Sequence, residues 1–290
     1  MKRTAVIFSY DDGPLVLSAL RSALSSSVER IILLYGGICP YDVIEKIGDP
    51  RLVKLRENYR MGKVNALISA MGNIEGDIVF LISGDSSFDP YLFDLCTNVM
   101  KEDIGVIIVS QRPLNRERFI EKIGAMLIDI HNFQLSFLSK MGLSGHNGDF
   151  MCVRRSIMYN LPEVVNEDSY LCLRAVQLGY RVQFLEDEAV NVLVPSNFTD
   201  LFQQRRRINY GHYQINRMGQ STMSLDTLAF RNTPLFIDIL ASYLRAKKWS
   251  PSVMAGALFV ELLATISSRI DMLVGKDHKK WFIVKRETSS

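Results

Sequence analysis

The stretch FLISGDSSFDP, from Phe80 to Pro90, runs an apolar segment into Gly84, Asp85 and two hydroxyls. A carboxylate placed where a buried strand reaches solvent either caps the segment that follows or holds a divalent cation beside a bound phosphate. Three more groups have comparable potential: R-x-G-K at Arg60 to Lys63, the acidic pair Glu167 and Asp168, and Q-R-R-R at Gln204 to Arg207. Each has an ordinary reading when taken alone. A lysine after glycine is a solvated helix start, an acidic pair in a first helical turn stabilises the helix dipole by about 0.3–1 kcal/mol, and an arginine run is an exposed face. The Gly-rich turn GLSGHNGDF offers His146 and Asp149 as contacts for hydroxyls, or it is a tight turn with His146 exposed.

These residues must be held by elements, and short apolar runs supply them: AVIFS at 5–9, RIILLY at 30–35, DIVFLIS at 77–83 and GVIIVS at 105–110. Helical spacing in Pro14 to Ser25 and Gly62 to Met71 separates the runs, as in an α/β sheet covered on both faces. Ligands of such sheets sit outside the carboxyl ends of the strands, where SYDD, YGG and SGDSS fall. A long helical pattern follows in RERFIEKIGAMLIDIHNFQLSFLSKM, then the apolar piece FMCVRR. In NEDSYLCLRAVQLGYRVQFLED, Asn166 is expected to cap a helix opened by Glu167 and Asp168, with Gly179 ending it before a strand.

Composition narrows the classes. With 290 residues, 48% hydrophobic and 22% charged, the chain is a folded protein with room for one large domain and an appendage. A net charge of +3 with dispersed basic residues gives no argument for a nucleic-acid partner. Cys39, Cys96, Cys152 and Cys172 are far apart and form no C-x-x-C pair, which suggests neither a zinc site nor a disulfide framework and fits a reducing cytosolic setting. The start MKRTAVIFSYDDG reads as a first strand, because Asp11 and Asp12 break the apolar run too early for a signal peptide.

From about Thr233 the character changes. TPLFIDILASYLRAKKW is too short to span a bilayer, and PSVMAGALFVELLATISSRIDMLV is borderline and interrupted by Glu261, Arg269 and Asp271. Lys247, Lys248, Trp249, Lys279, Lys280 and Trp281 resemble the basic and aromatic anchors of interfacial segments. Three placements stay open: helices lying on a membrane, helices packed in a homo-oligomer or on the main domain, and, behind these, a true span. The expected division is 1–219 for the main domain and 220–290 for a C-terminal helical segment.

Taken in order, AVIFSYDD, NYRMGKVNALISAMGNIEGDIVFLISGDSSFDP, NEDSYLCLRAVQLGYRVQFLEDEAV and FQQRRRINYGHYQ resemble the family 2 glycosyltransferases over about Thr4 to Gln214. The resemblance implies an inverting enzyme with the GT-A fold, an open mixed sheet with helices on both faces. It implies that Asp85 is the second carboxylate of the D-x-D motif and the metal ligand, for Mg or Mn. Asp168 becomes the general base, and Gln204 with Arg207 the Q and R of Q-x-x-R-W. Ser9, Tyr10, Asp11, Lys63, Ser83 and Gly84 then lie on the donor nucleotide, while His146, Asp149 and Glu167 lie beside the sugar or acceptor. The chemistry is coherent: a departing diphosphate needs its charge neutralised, and an acceptor hydroxyl must lose its proton as it attacks the anomeric carbon.

The sequence departs from the family pattern at three places. Ser83 replaces the first Asp of D-x-D, Ile208 replaces the Trp, and Tyr35, Gly36 and Gly37 replace the acidic turn that reads the base. Fewer anionic groups near the cation imply weaker metal binding, base contacts shift to Asp11 or Asp12, and loss of the aromatic argues against processive polymer synthesis. The expectation is an enzyme on the cytoplasmic face of a membrane, moving one sugar from a nucleotide sugar to a lipid-linked or glycan acceptor in polysaccharide or glycolipid synthesis. The alternatives are a non-catalytic subunit that keeps the fold and a nucleotidyltransferase. SYDDG, acidic rather than Gly-rich after the first strand, argues against the latter.

Overall fold

A computed structural model describes residues 2–143, 145–276 and 278. In chain order the elements are β1 (Arg3–Tyr10), α1 (Val16–Leu24), β2 (Arg30–Gly36), α2 (Tyr41–Glu45), β3 (Leu52–Glu57), α3 (Lys63–Ala70), β4 (Ile78–Ser83) and α4 (Tyr91–Val99). Then come β5 (Ile104–Pro113), α5 (Phe119–Lys140), β6 (Phe150–Arg154), α6 (Glu167–Gln177), β7 (Arg181–Val192), α7 (Phe198–Arg217), α8 (Leu225–Arg231), α9 (Thr233–Ala246) and α10 (Pro251–Leu273). The expected apolar runs all lie in strands. β3 and α4, which the periodicity did not single out, complete the first half.

One seven-stranded sheet has the order β3-β2-β1-β4-β6-β5-β7. Its pairs are parallel except at β6, which is antiparallel to both β4 and β5, so the sheet is mixed. The central strands are apolar throughout because each face is covered, and alternate residues serve opposite sides. Ile7, Leu33, Phe80 and Phe150 join one core under α1 and α4, while Val6, Ile32, Leu81 and Met151 join the other under α3 and α6. The strand order reverses between β1 and β4, and such a switch point opens a crevice at the carboxyl ends of the two strands. SYDD and SGD flank it.

The C-terminal helices share cores with the sheet domain. Tyr243 of α9 and Val253, Ala257 and Val260 of α10 pack with Ile123 and Met126 of α5 and Leu201 of α7. The helices after Gly219 are thus packed onto α5 and α7. Among the expected interfacial anchors, Trp249 turns inward and its indole donates to Asp129 of α5 at 3.3 Å, where Lys247 also lies at 3.2 Å. Lys248 is exposed, while Lys279, Lys280 and Trp281 fall outside the described residues. All four cysteines are free thiols.

Candidate active site

Glycine is required where the metal-motif candidate meets β1. The Gly84 amide donates to the Phe8 carbonyl at 2.7 Å. A β-carbon on Gly84 would come within 2.8 Å of Phe8 O and 3.0 Å of an Asp12 carboxylate oxygen. The backbone of Ser83-Gly84-Asp85 thus lies flush on β1, with Asp12 beside it and Asp85 half-buried at the mouth of the crevice. The sequence places Asp11 on the donor nucleotide and leaves the base contacts to Asp11 or Asp12. The structure separates them: Asp11 accepts from the Ile38 amide at 2.8 Å and supports the turn after β2, so Asp12 is the carboxylate on the Gly84 side. Asp11 adopts this position with φ 66°, in the left-handed region.

On the donor side, Ser9 is buried at the end of β1. Arg60 lies 5.2 Å from the centre of the Tyr10 ring and 3.8 Å from an Asp11 oxygen. Sequence reading placed Arg60 in R-x-G-K without giving it a role. Its stacking on Tyr10 is visible only in three dimensions. Glu57, at the end of β3, is pushed upward in pKa by burial, partly offset by Arg60.

Opposite, β4 is tied to the Gly-rich turn. The Ser83 amide donates to the Asp149 carbonyl at 3.0 Å, and the Asp149 carboxylate accepts from Gln111. Asp149 therefore brings a carboxylate to Ser83, where the D-x-D pattern lacks one. Burial raises the Asp149 pKa, with Gln111, Lys63 and Ser83 opposing and Asp168 adding to the rise.

Gly148 connects this turn to α6. A β-carbon there would stand 3.1 Å from the Asp168 carboxylate, so the glycine leaves the space that Asp168 uses. Asp168 is half-buried, whereas its neighbour Glu167 is buried and forms an ion pair with Lys63 at 2.7 Å. Lys63 also donates to the Gly148 carbonyl at 2.9 Å. The acidic pair is thus divided: Glu167 locks α6 to α3, and Asp168 lies half-buried against Gly148.

Asn166 precedes α6 but makes no capping bond with its side chain. It donates instead to the Ile208 carbonyl of α7 at 2.9 Å and lies against Gly211, where no side chain would fit. The cap expected from sequence is in fact an α6–α7 clamp.

Helical spacing divides the arginine run. Arg205 and Arg206 pair with Glu261 and Asp271 of α10. Arg207 points the other way, is buried, and donates to the Val165 carbonyl at 3.4 Å. Burial lowers its pKa to about 10, held up by Glu167, Asp168 and Asp149. Gln204, three residues earlier, shares its side of α7. Asp149, Asp168, Lys63, Glu167 and Arg207 are thereby joined around Gly148 into one cluster, which the Asp149 carbonyl ties to Ser83, two residues before Asp85.

His146 is neither exposed nor at the crevice surface. It is buried, with its Nε2 3.0 Å from Nε2 of His212 on α7, and His212 Nδ1 is 3.0 Å from Asp226 of α8. The Asp226 carboxylate accepts a hydrogen bond from His212 Nδ1–H, leaving His212 Nε2 to accept from His146 Nε2–H. His131 of α5 bonds the His146 carbonyl at 2.9 Å. Burial, together with His212, pushes the His146 pKa down to about 3. This relay braces the turn that carries Gly148 and Asp149.

The family described as "Glycosyltransferase like family 2" matches residues 3–211. An N-acetylglucosaminyltransferase of Rhizobium sp. (strain N33) is 24% identical over 297 residues, covering 90% of this chain and 62% of that protein, so the chain spans less than two thirds of that relative. Among solved structures, the mannosyltransferase PcManGT from Pyrobaculum calidifontis, in complex with GDP-Man and Mn2+, is similar with a TM-score of 0.66 at 16% identity, covering 95% of this chain and 88% of that one. S. aureus TarS 1–349 in complex with UDP-GlcNAc is similar with a TM-score of 0.50 at 12% identity, covering 95% and 93%. The crevice at the strand-order reversal and the match across more than half of the sequence lead to one conclusion: the chain belongs to the family 2-like glycosyltransferases and carries their GT-A fold.

Proposed function

We propose that the protein moves one sugar from a nucleoside-diphosphate sugar to a hydroxyl of a lipid-linked or glycan acceptor, with inversion at the anomeric carbon. The observation that carries this reading is the placement of Asp168, half-buried beside Gly148 and in the field of Arg207, in the cluster that reaches Ser83 and the Asp85 motif. Asp168 takes the proton of the acceptor hydroxyl as its oxygen attacks. No separate nucleophile is needed for an in-line displacement. Arg207 stabilises the negative charge that gathers on the diphosphate, Arg60 and Tyr10 bind the nucleotide end, and Lys63 with Glu167 keeps the base at its station. His146 and Asp149 then act on the sugar side through the shape of their turn.

Among the described residues no three acidic, histidine or cysteine side chains converge on a single metal position. Asp85, half-buried after β4, offers one carboxylate, a ligand type that Mg and Mn use together with phosphate and water. Asp85 would hold such a cation, which when bound neutralises the diphosphate. The PcManGT complex, with GDP-Man and Mn2+, supports both the donor class and the metal.

The reading extends to a peripheral enzyme on the cytoplasmic face of a membrane. Incubation with Mg or Mn and a panel of nucleotide sugars tests the donor. Metal-stimulated release of the nucleoside diphosphate from at least one of them is expected. Ser83 at the first D-x-D position favours one rival, a non-catalytic subunit. Failure to bind any nucleoside diphosphate, with or without metal, would favour that rival.

A further inference from the structure

α10 is built with its large apolar side chains outward. Its buried positions are Val253, Ala257, Val260, Ala264, Ser268 and Asp271, small or charged for the most part. Its outward positions include Leu258, Phe259, Leu262, Ile266, Ile270 and Leu273, between 49% and 81% exposed. The helix of a water-facing domain shows the opposite arrangement, and a continuous apolar stripe of this kind marks a surface that another phase or molecule covers. Ion pairs fix the orientation: Glu261 with Arg205 and Asp271 with Arg206, with Asn209 donating to Thr265 at 3.1 Å between them. α9 adds Ile237 and Leu244 to the exposed apolar surface.

The charges at the rim choose the occupant. Both acids of α10 are consumed by α7, which leaves Arg245, Lys248 and Lys276 exposed against the single exposed acid of α9, Asp238. The sequence beyond continues with Lys279, Lys280, Trp281, Lys285 and Arg286 against two acids, Asp277 and Glu287, and is still net basic. A second copy would bring the same cationic rim against itself, whereas anionic headgroups complement it. By length and composition α10 is also able to cross a bilayer. Crossing would carry Glu261 and Asp271 into hydrocarbon, or tear them from their arginines, at a cost that lying flat avoids.

We propose that α10 lies in the plane of an anionic lipid bilayer, with Leu258, Leu262, Ile266, Ile270 and Leu273 in the headgroup–acyl boundary and the basic rim on the phosphates. The inference deepens the membrane reading above by naming the face and the lipid charge. The test is co-sedimentation of the full-length chain with vesicles of phosphatidylcholine, with and without phosphatidylglycerol. Binding is expected, and more strongly with phosphatidylglycerol.

The triple variant Leu258→Gln, Leu262→Gln, Ile266→Gln should bind about tenfold less or weaker still, because three apolar side chains leave the lipid. Its metal-stimulated nucleotide release from a soluble donor should be unchanged. Lys248→Glu with Lys276→Glu should remove only the phosphatidylglycerol-dependent part. Three results would overturn the proposal: no vesicle binding by the native chain, native-like binding by the triple variant, or a lipid-free dimer that the triple variant converts to monomer. Absence of nucleotide release by the native protein would count against the catalytic reading alone and leave the lipid inference standing.

Discussion

Lys63 and Glu167 illustrate how much a buried charge depends on its partner. The lysine side chain is 9% exposed and that of the glutamate 6%, so neither can turn to water if the other is lost. Lys63→Met should cost about 3 kcal/mol of stability, measured by urea unfolding, because it leaves Glu167 buried and unpaired. Lys63→Met with Glu167→Gln should recover much of that loss. At Gly148, an alanine would press on the Asp168 carboxylate from 3.1 Å. Turnover should fall by about tenfold, the magnitude of small misplacements of a reacting group, with the unfolding midpoint little changed. The candidate residues Asp85, Asp168 and Arg207 come from the resemblance to the glycosyltransferase motifs taken in order, since a strand end, a helix start and an arginine run each have an ordinary reading alone. The Lys63–Glu167 pairing was not legible, because it joins two elements far apart in sequence. Nor was the diversion of Asn166 from cap to clamp, which depends on the hollow that Gly211 leaves in α7.

Between elements, the relay from His131 and His146 through His212 to Asp226 holds α5, the 145–149 turn, α7 and α8 together. His146 is buried neutral, with its pKa lowered from 6.5 to about 3 by burial first and then by His212. The unfolded chain binds a proton there below about pH 6.5 while the folded chain does not, so stability is full above that pH and is lost as pH falls toward about 3. Asp226, held down to about 2 by His212 and Ser224 against the effect of burial, adds a further loss below about pH 4. Urea midpoints measured from pH 7 to pH 3 should therefore fall steadily, and His146→Phe should flatten the part of the fall nearest neutrality. The long helices and continuously apolar strands could be read from periodicity. β3 could not, because LVKLRE sits at the sheet edge with Lys54 and Arg56 in its pattern, and α4 hides in the same way behind the loop after Asp85. The arginine run reads as one patch in sequence, yet the turn of α7 assigns two of its members to α10 and one, buried, to the Val165 carbonyl before α6.

For the molecule as a whole, the crevice lies at the strand-order reversal, and α7 connects it to α10. Binding of a nucleoside diphosphate together with Mn should stabilise the folded state, by about 2.7 kcal/mol at a ligand concentration a hundred times the dissociation constant. A thermal-shift series should show that gain with both ligands present and a much smaller one with either alone. The most direct measurement compares Asp168→Asn and Asp85→Asn with the native chain, following both donor binding and nucleoside diphosphate release in the presence of Mn. The account predicts that Asp168→Asn keeps donor affinity and loses about a hundredfold or more in turnover, while Asp85→Asn loses the metal-dependent part of binding. Native turnover in Asp168→Asn would contradict it.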